Sequence, residues 1–376
     1  METLHPERSR RRARTTRRPR TASVAAVLAL AALALSACAT SPEPTATTEA
    51  PPPSGTATPS PEPAPAPASG TVRPASRYDL TCDELVPPAN ISDMFDVAVA
   101  PVDPLVTAAS AGLSVPRMTS ALSIGGLACE WSNGEAYNSQ LGTTTPYTGV
   151  LVTVVPPQDA GWSDRATGAG LPAPGTDCGA DFCSITRVAS GAWIAIAAIG
   201  GPNAILPVGA DGVANAAVAA VDSASPPAAA SEVPSGIPDD CEGLVPVATV
   251  ESITGSAGLV AETTAGGWSE WAEAMAIAGD LGCRWMPSGA DEVVVGAAWV
   301  RGGVWAFDRI EAAGALVPAP SDLAVAGADR AFVRWDPERG VCGVDLLVGP
   351  DWIQVTSAEQ DWALAVAEEI AAGLPR

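Results

Sequence analysis

An internal repeat restricts the fold of this chain more than any other feature of its sequence. Three short motifs that contain Cys or Trp occur twice, in the same order. They are residues 82–87 and 241–246, residues 127–131 and 281–285, and Cys183 with Trp193 against Cys342 with Trp352. The offsets are 159, 154 and 159 residues. This pattern indicates one module present twice, with changes of loop length between the copies.

The repeat also predicts the domain organisation. We expect a first module over residues 78–224 and a second over residues 237–376. A linker rich in Pro, Ala and Ser joins them at residues 225–236. A module of about 140 residues is long enough to bury a core of its own.

Within each module the hydrophobic pattern predicts an α+β fold. Apolar runs of strand length occur at 149–155 in the first copy and at 292–300 in the second. Residues 358–372 carry apolar side chains at four-residue intervals from Trp362, which is typical of an amphipathic helix. Short turns between consecutive strands favour antiparallel pairing. We therefore predict two tandem modules, each a curved, mainly antiparallel sheet with helices packed on one face.

The N-terminus has the parts of a lipoprotein signal. Eight arginines precede an apolar run of 12 residues, Val24 to Leu35, which is too short to span a bilayer as a helix. Leu-Ser-Ala-Cys at 35–38 reads as a lipobox; a plain signal peptide is the alternative. We expect residues 1–37 to be removed and Cys38 to carry lipid. The mature protein would then be held on the extracytoplasmic face of the cell membrane.

Residues 38–77 form a tether between this anchor and the modules. They are rich in Pro, Thr, Ala and Ser and have almost no large apolar side chain. Because such a segment cannot bury a core, we expect it to be extended and disordered. At ~3.1 Å per residue, full extension is on the order of 110 Å.

Charge and residue usage exclude several classes of function. The whole chain has a net charge of −22; loss of the first 37 residues removes eight arginines and two glutamates and leaves −28. Such a surface repels nucleic acid, so we expect no nucleic-acid partner. The only histidine is His5 and the chain has no lysine. The mature chain therefore lacks Ser–His–Asp and Cys–His catalysis, Schiff-base chemistry and histidine metal sites.

The motifs resemble those of a family of uncharacterised actinobacterial lipoproteins, defined by a Cys-Leu-Leu … Cys-Ser-Trp pattern. The matching features are the lipobox, the Pro/Thr tether, Cys-x-x-Leu at the start of each module and Cys-x-Trp on a strand. The chain departs from the pattern in having Leu-Val for Leu-Leu, and Glu130 or Arg284 where serine is usual. The resemblance implies a secreted α+β domain and assigns no activity.

The cysteines indicate a disulfide framework, because extracytoplasmic placement favours oxidation. The repeat and the spacing predict three bridges within modules: Cys82–Cys129, Cys241–Cys283 and Cys178–Cys183. The offset of 159 carries Cys178 to Pro337, which leaves Cys342 as an odd thiol. We expect Cys342 to be buried and unreactive; a reactive thiol and a Cys178–Cys342 bridge between modules are the alternatives.

Tryptophan is unusually common, with 11 residues against 4 Phe and 3 Tyr. We expect Trp131 and Trp285 to pack on the neighbouring disulfides. Trp268, Trp271 and Trp305 belong only to the second copy and are the candidate binding residues. They would form an exposed platform for a sugar or a protein partner, with burial in the core as the alternative.

Three hypotheses on function follow. The leading one is a non-enzymatic lipoprotein that binds or senses a cell-wall polymer or an envelope protein, with its more specific site in the second module. It needs no metal or cofactor. The others are a cell-wall carbohydrate-active enzyme with two carboxylates and a scaffold or chaperone-like lipoprotein. A binding module should show an apolar pocket without a pair of acids, whereas an enzyme should show two acids converging in one cleft.

Overall fold

A computed structural model describes residues 72–139, 141–142, 146–156, 175–200, 206–224, 237–264, 269–290 and 292–374. The signal peptide, Cys38, almost the whole tether and the linker lie outside the described residues, as does Trp268.

The first module combines short N-terminal helices, a sheet and a long closing helix. Its helices are α1 (Cys82–Leu85), α2 (Pro88–Ser92), α3 (Pro104–Ser110), α4 (Met118–Ser123) and α5 (Leu206–Ser223). Its strands are β1 (Ala100–Val102), β2 (Leu127–Ser132), β3 (Gly149–Val155), β4 (Gly175–Cys178), β5 (Phe182–Ala189) and β6 (Ala192–Ile199).

The second module has the same plan. Its helices are α6 (Cys241–Leu244), α7 (Val247–Thr254), α8 (Glu270–Ala278), α9 (Val304–Ala312) and α10 (Gln360–Gly373). Its strands are β7 (Leu259–Thr263), β8 (Leu281–Pro287), β9 (Val295–Val300), β10 (Ser321–Leu323), β11 (Arg330–Asp336), β12 (Val341–Val348) and β13 (Asp351–Ser357).

The two sheets share one strand order. The first is β1-β2-β3-β6-β5-β4, and the second is β7-β8-β9-β13-β12-β11-β10. All neighbouring strands pair antiparallel. Each strand of the first sheet therefore has a counterpart in the second, and β10 is an addition. The predicted α+β fold with two antiparallel sheets in separate halves of the chain is confirmed.

Each sheet has an outer face, turned away from the other module, and an inner face, turned toward it. The closing helix of each module packs on the outer face. Helix α5 packs on β5 and β6, and α10 packs on β12 and β13. The bridge Cys82–Cys129 ties α1 to β2, and Cys241–Cys283 ties α6 to β8. Trp285 is fully buried beside the second bridge, and its Nε1 donates to the carbonyl oxygen of Val245 at 3.2 Å.

Helices also pack on the inner faces, which the sequence did not lead us to expect. Helices α3 and α4 contact the first sheet, and α9 contacts β13 of the second. The reason is visible in the strands: every residue of β2 and nearly every residue of β12 is buried, so both faces of the sheet need a cover.

Candidate binding cavity between the two modules

A shared apolar core joins the inner faces of the two sheets. The first module contributes α3 and α4, and the second contributes α9 and nearby strands. The large side chains of this core include Leu105, Met118, Leu122, Trp305, Phe307, Phe332 and Trp352. Phe307 stacks on Phe332 with 5.3 Å between ring centroids and meets Trp352 edge-on at 5.4 Å. The modules thus share a core in addition to the core that each has alone.

Polar contacts also connect the two modules beside this shared core. Asp103, which caps α3, forms an ion pair with Arg309 of α9. The guanidinium of Arg117 lies 4.9 Å from the ring centroid of Trp271 on α8, a cation–π contact between the modules. Helix α4 packs along α8. These contacts fix the orientation of one module on the other.

A cavity of about 350 Å³ lies at this junction, between α8, residues 113–115 and the inner face of the second sheet. Its apolar walls include Leu113, Val115, Trp271, Met275 and Val300. Its polar lining includes Ser114, Thr264, Arg284, Gln354 and Thr356. No Asp or Glu among the described residues lines it. The volume falls within the range of about 300–1,000 Å³ that is typical of small-molecule sites.

The floor of the cavity consists of the smallest residues of β8 and β9. Gly282 pairs with Ala298 in the register, and Gly296 pairs with Thr356 of β13. A Cβ atom at Gly296 would lie 2.8 Å from Thr356 Oγ1, and one at Gly282 would lie 2.7 Å from Thr264 Oγ1. The two hydroxyl groups therefore occupy the space above the glycines.

The first module has a different set of side chains at the equivalent positions. Counterparts in the two sheets are Ala128 and Gly282, Leu151 and Gly296, Thr153 and Ala298, and Ala197 and Thr356. An isobutyl side chain on β3 is thus replaced by a hydrogen atom on β9. The floor of the cavity is a property of the second sheet alone.

A buried charged network lies beside the floor, on the same face of the second sheet. Asp345 Oδ1 accepts hydrogen bonds from Gln354 Nε2 and Trp352 Nε1, both at 2.9 Å. Asp345 Oδ2 accepts from Arg334 Nε at 2.7 Å, and both charged side chains are at most 1% exposed. Because the carboxylate is neutralised and fully engaged, its burial is compensated. The network also orients the Gln354 amide that lines the cavity.

Two carboxyl groups that do not line the cavity have raised pKa values. Burial raises the pKa of Glu130 on β2 to about 7, although Tyr147 Oη donates to its Oε1 at 3.0 Å. Burial also raises the pKa of Asp280, just before β8, to about 7; its Oδ1 accepts from the Arg301 backbone N–H at 2.8 Å. Both groups change charge close to neutral pH.

A second, wider cleft of about 640 Å³ tests the two-carboxylate hypothesis, because Asp103 and Asp308 both line it. Asp103 is the partner of Arg309, and Asp308 accepts from Arg330 Nη1 at 2.7 Å. Each carboxylate thus already has an arginine partner. Glycoside hydrolysis instead needs a protonated acid beside a carboxylate.

The structure separates the three candidate tryptophans. Trp271 lines the cavity. Trp305 is 3% exposed and belongs to the shared core, so it offers no exposed platform. Its position matches the alternative expectation, which was burial in the core. Trp268 lies outside the described residues.

The three disulfides have the pairing expected from the repeat and, for Cys178–Cys183, from the short spacing. The Cα–Cα distances are 5.6 Å for Cys82–Cys129, 4.0 Å for Cys178–Cys183 and 5.5 Å for Cys241–Cys283. Cys342 is free among the described residues and fully buried, and burial raises the pKa of its thiol. It faces Trp335 across the β11–β12 pair, as Cys183 faces Cys178. The strand register thus puts Trp335, rather than Pro337, in place of the lost cysteine.

Sequence reasoning missed the floor of the cavity. The motifs align β2 with β8 at an offset of 154 residues, but the register relates Leu151 to Gly296 at an offset of 145. Loop changes on both sides of β3 hide this correspondence. A strand-by-strand alignment of the two copies would have shown the exchange of Leu for Gly.

The described residues contain no group of three His, Cys, Asp or Glu side chains arranged to hold a metal ion. No helix in the same residues is long and apolar enough to cross a membrane. Comparisons with protein-family models, with curated proteins and with solved structures found no match. The resemblance to the actinobacterial lipoproteins therefore stays a prediction from sequence motifs.

Proposed function

We propose that this protein is a non-enzymatic, lipid-anchored binding protein of the cell envelope, which holds a small and mostly apolar molecule between its two modules. The observation that carries the proposal is the cavity itself. Both modules build its walls, the small residues of β8 and β9 form its floor, and no described carboxylate lines it.

The walls explain why an apolar molecule would bind. Leu113, Met275 and Val300 line the cavity with carbon atoms. A ligand that contacts these atoms removes their apolar surface from water. Removing the apolar surface of the ligand from water adds to the gain.

Placement and residue usage support binding rather than turnover. The lipobox at Cys38 and the tether would hold both modules outside the membrane. The mature chain has neither His nor Lys, and the acids of the wider cleft are engaged with arginines. The proposed site also needs both modules, so it differs from a site within the second module alone.

The test is a substitution that fills the cavity. Ala298 on β9 is partly exposed toward the cavity, and Ala298→Leu would place a larger side chain in it. Ala219→Leu, on the exposed side of α5, is the matched control. The mature protein is purified from membranes of its host and extracted with organic solvent, and the extract is analysed by mass spectrometry.

We expect a small molecule to co-purify with the parent protein and the control, and to fall at least about tenfold in Ala298→Leu, since tenfold corresponds to ~1.4 kcal/mol. Circular dichroism must show the same fold in all three proteins. Equal amounts of the molecule in the three proteins, or no molecule in any of them, would contradict the proposal.

A further inference from the structure

We infer that the molecule held in the cavity is uncharged, with an apolar body and one hydroxyl, ester or amide group that hydrogen-bonds to the floor. This inference rests on the proposed function and adds the chemical class of the ligand.

The first argument is the charge of the lining. Arg284 is the only charged side chain among the described lining residues. It stands at the rim, 56% exposed, and its Nη2 lies 2.9 Å from Glu262 Oε2. The cavity thus offers an ionised ligand no unpaired charge at its floor. A charged head group would lose its hydration there without gaining a partner, which is costly.

The charges around the cavity are compensated in the same way. Beside the floor, on the same face of the sheet, Arg334 neutralises Asp345. On the far side of the Trp271 wall, Arg117 contacts the Trp271 ring and is close to the opposite charge of Glu270. Each of these two arginines thus has an acidic neighbour.

The second argument is the hydrogen-bonding character of the floor. The hydroxyls of Thr264 and Thr356 lie above the two glycines, and the Gln354 amide is held by Asp345. Ser114 is already engaged, since its hydroxyl accepts from Asn138 Nδ2 at 2.8 Å. Hydroxyl and amide groups both donate and accept, so they match a neutral polar group of the ligand.

The test uses three ten-carbon probes that differ only in the head group: 1-decanol, decanoate and decylamine. Binding to the whole mature protein is measured by titration calorimetry at pH 7.5. We expect 1-decanol to bind at least about tenfold more tightly than either charged probe. Ala298→Leu should abolish the binding of 1-decanol, and Ala219→Leu should not.

A second variant tests the floor. Thr356→Val removes one hydroxyl at nearly constant shape and should weaken 1-decanol binding about fivefold, the usual effect of one hydrogen bond. Thr186→Val on β5 of the first sheet is the control and should leave binding unchanged. Unchanged binding in Thr356→Val would show that the floor hydroxyl does not hydrogen-bond to the ligand, which would contradict the inference.

The outcomes separate the two proposals. If decanoate or decylamine binds as tightly as 1-decanol, the inferred ligand class is wrong and the cavity remains a binding site. If no probe binds but solvent extraction recovers a molecule, the ligand class is again wrong. If no probe binds and extraction recovers nothing, the proposed function fails as well.

Discussion

Gly296 on β9 occupies the position in the second sheet that Leu151 on β3 occupies in the first. The neighbours on the next strand change in the opposite sense, because Ala197 beside Leu151 becomes Thr356 beside Gly296. The first sheet thus pairs a large residue, Leu151, with a small one, Ala197. The second sheet pairs the smallest residue, Gly296, with the larger Thr356. The exchange leaves a hydroxyl above a glycine at the floor of the cavity.

This complementarity predicts strong coupling between the two positions. Gly296→Leu alone should cost about 1–3 kcal/mol of stability, because its Cβ would meet Thr356 Oγ1. Gly296→Leu with Thr356→Ala recreates the pair of the first module and should recover most of that loss. Urea unfolding of the two single variants and the double variant measures the coupling energy. Additive costs would show that the two sheets are not equivalent here.

Glu130 makes stability depend on pH. Its pKa is raised from 4.5 to about 7 in the folded protein, so between these values the unfolded chain has released a proton that the folded chain keeps. Stability therefore falls as the pH rises through this window. Glu130→Gln keeps the acceptor for Tyr147 and should be more stable than the parent at pH 8, by up to ~3 kcal/mol. Thermal unfolding from pH 4 to 8 tests this; parallel curves for both proteins would refute it.

Removal of a charge from the buried pair of Arg334 and Asp345 should lower the free energy of unfolding more than removal of a charge from an exposed pair. Asp345→Ala leaves a buried guanidinium without its partner and should cost ~3–5 kcal/mol. The control is Asp211→Ala, which removes the more exposed partner of Arg187 and should cost less than ~1 kcal/mol. Denaturant unfolding compares the two variants. Similar costs would mean that water enters the Asp345 site.

The shared core predicts that the modules depend on each other. Residues 237–376 expressed alone would lose the cover that α3 and α4 give to Trp305 and its neighbours in the shared core. We expect this fragment to bind an apolar dye such as ANS, and addition of residues 78–224 to abolish the dye binding. Two fragments that are each stable and dye-free would contradict a shared core.

The lipobox predicts the form of the mature N-terminus. Mass spectrometry of the membrane fraction should find residue Cys38 at the N-terminus with a diacylglyceryl group. Cys38→Ala should leave the protein unlipidated. A parent protein that is secreted with an unmodified N-terminus would refute the anchor.

Much of the fold follows from local patterns in the sequence. The apolar run at 149–155 coincides with β3, and the repeated Leu-x-Cys-x-Trp motifs lie on β2 and β8. The two long-range bridges were predictable because their cysteines recur in both copies, and Cys178–Cys183 because its cysteines are only 5 residues apart. These features depend on residues close in sequence or related by the repeat.

Only the tertiary structure decided where the modules meet and what lies between them. Nothing local in Trp305 distinguishes a core residue from an exposed platform; its burial depends on α3 of the other module. In the same way, Gly282 and Gly296 read in sequence as glycines in strands. They form the floor of a cavity because the strand register places them on one face of the sheet, as diagonal neighbours, and the first module supplies part of the cavity wall. Contacts between distant segments depend on how whole elements pack in three dimensions. A local sequence pattern therefore does not indicate which face of a sheet another module will cover.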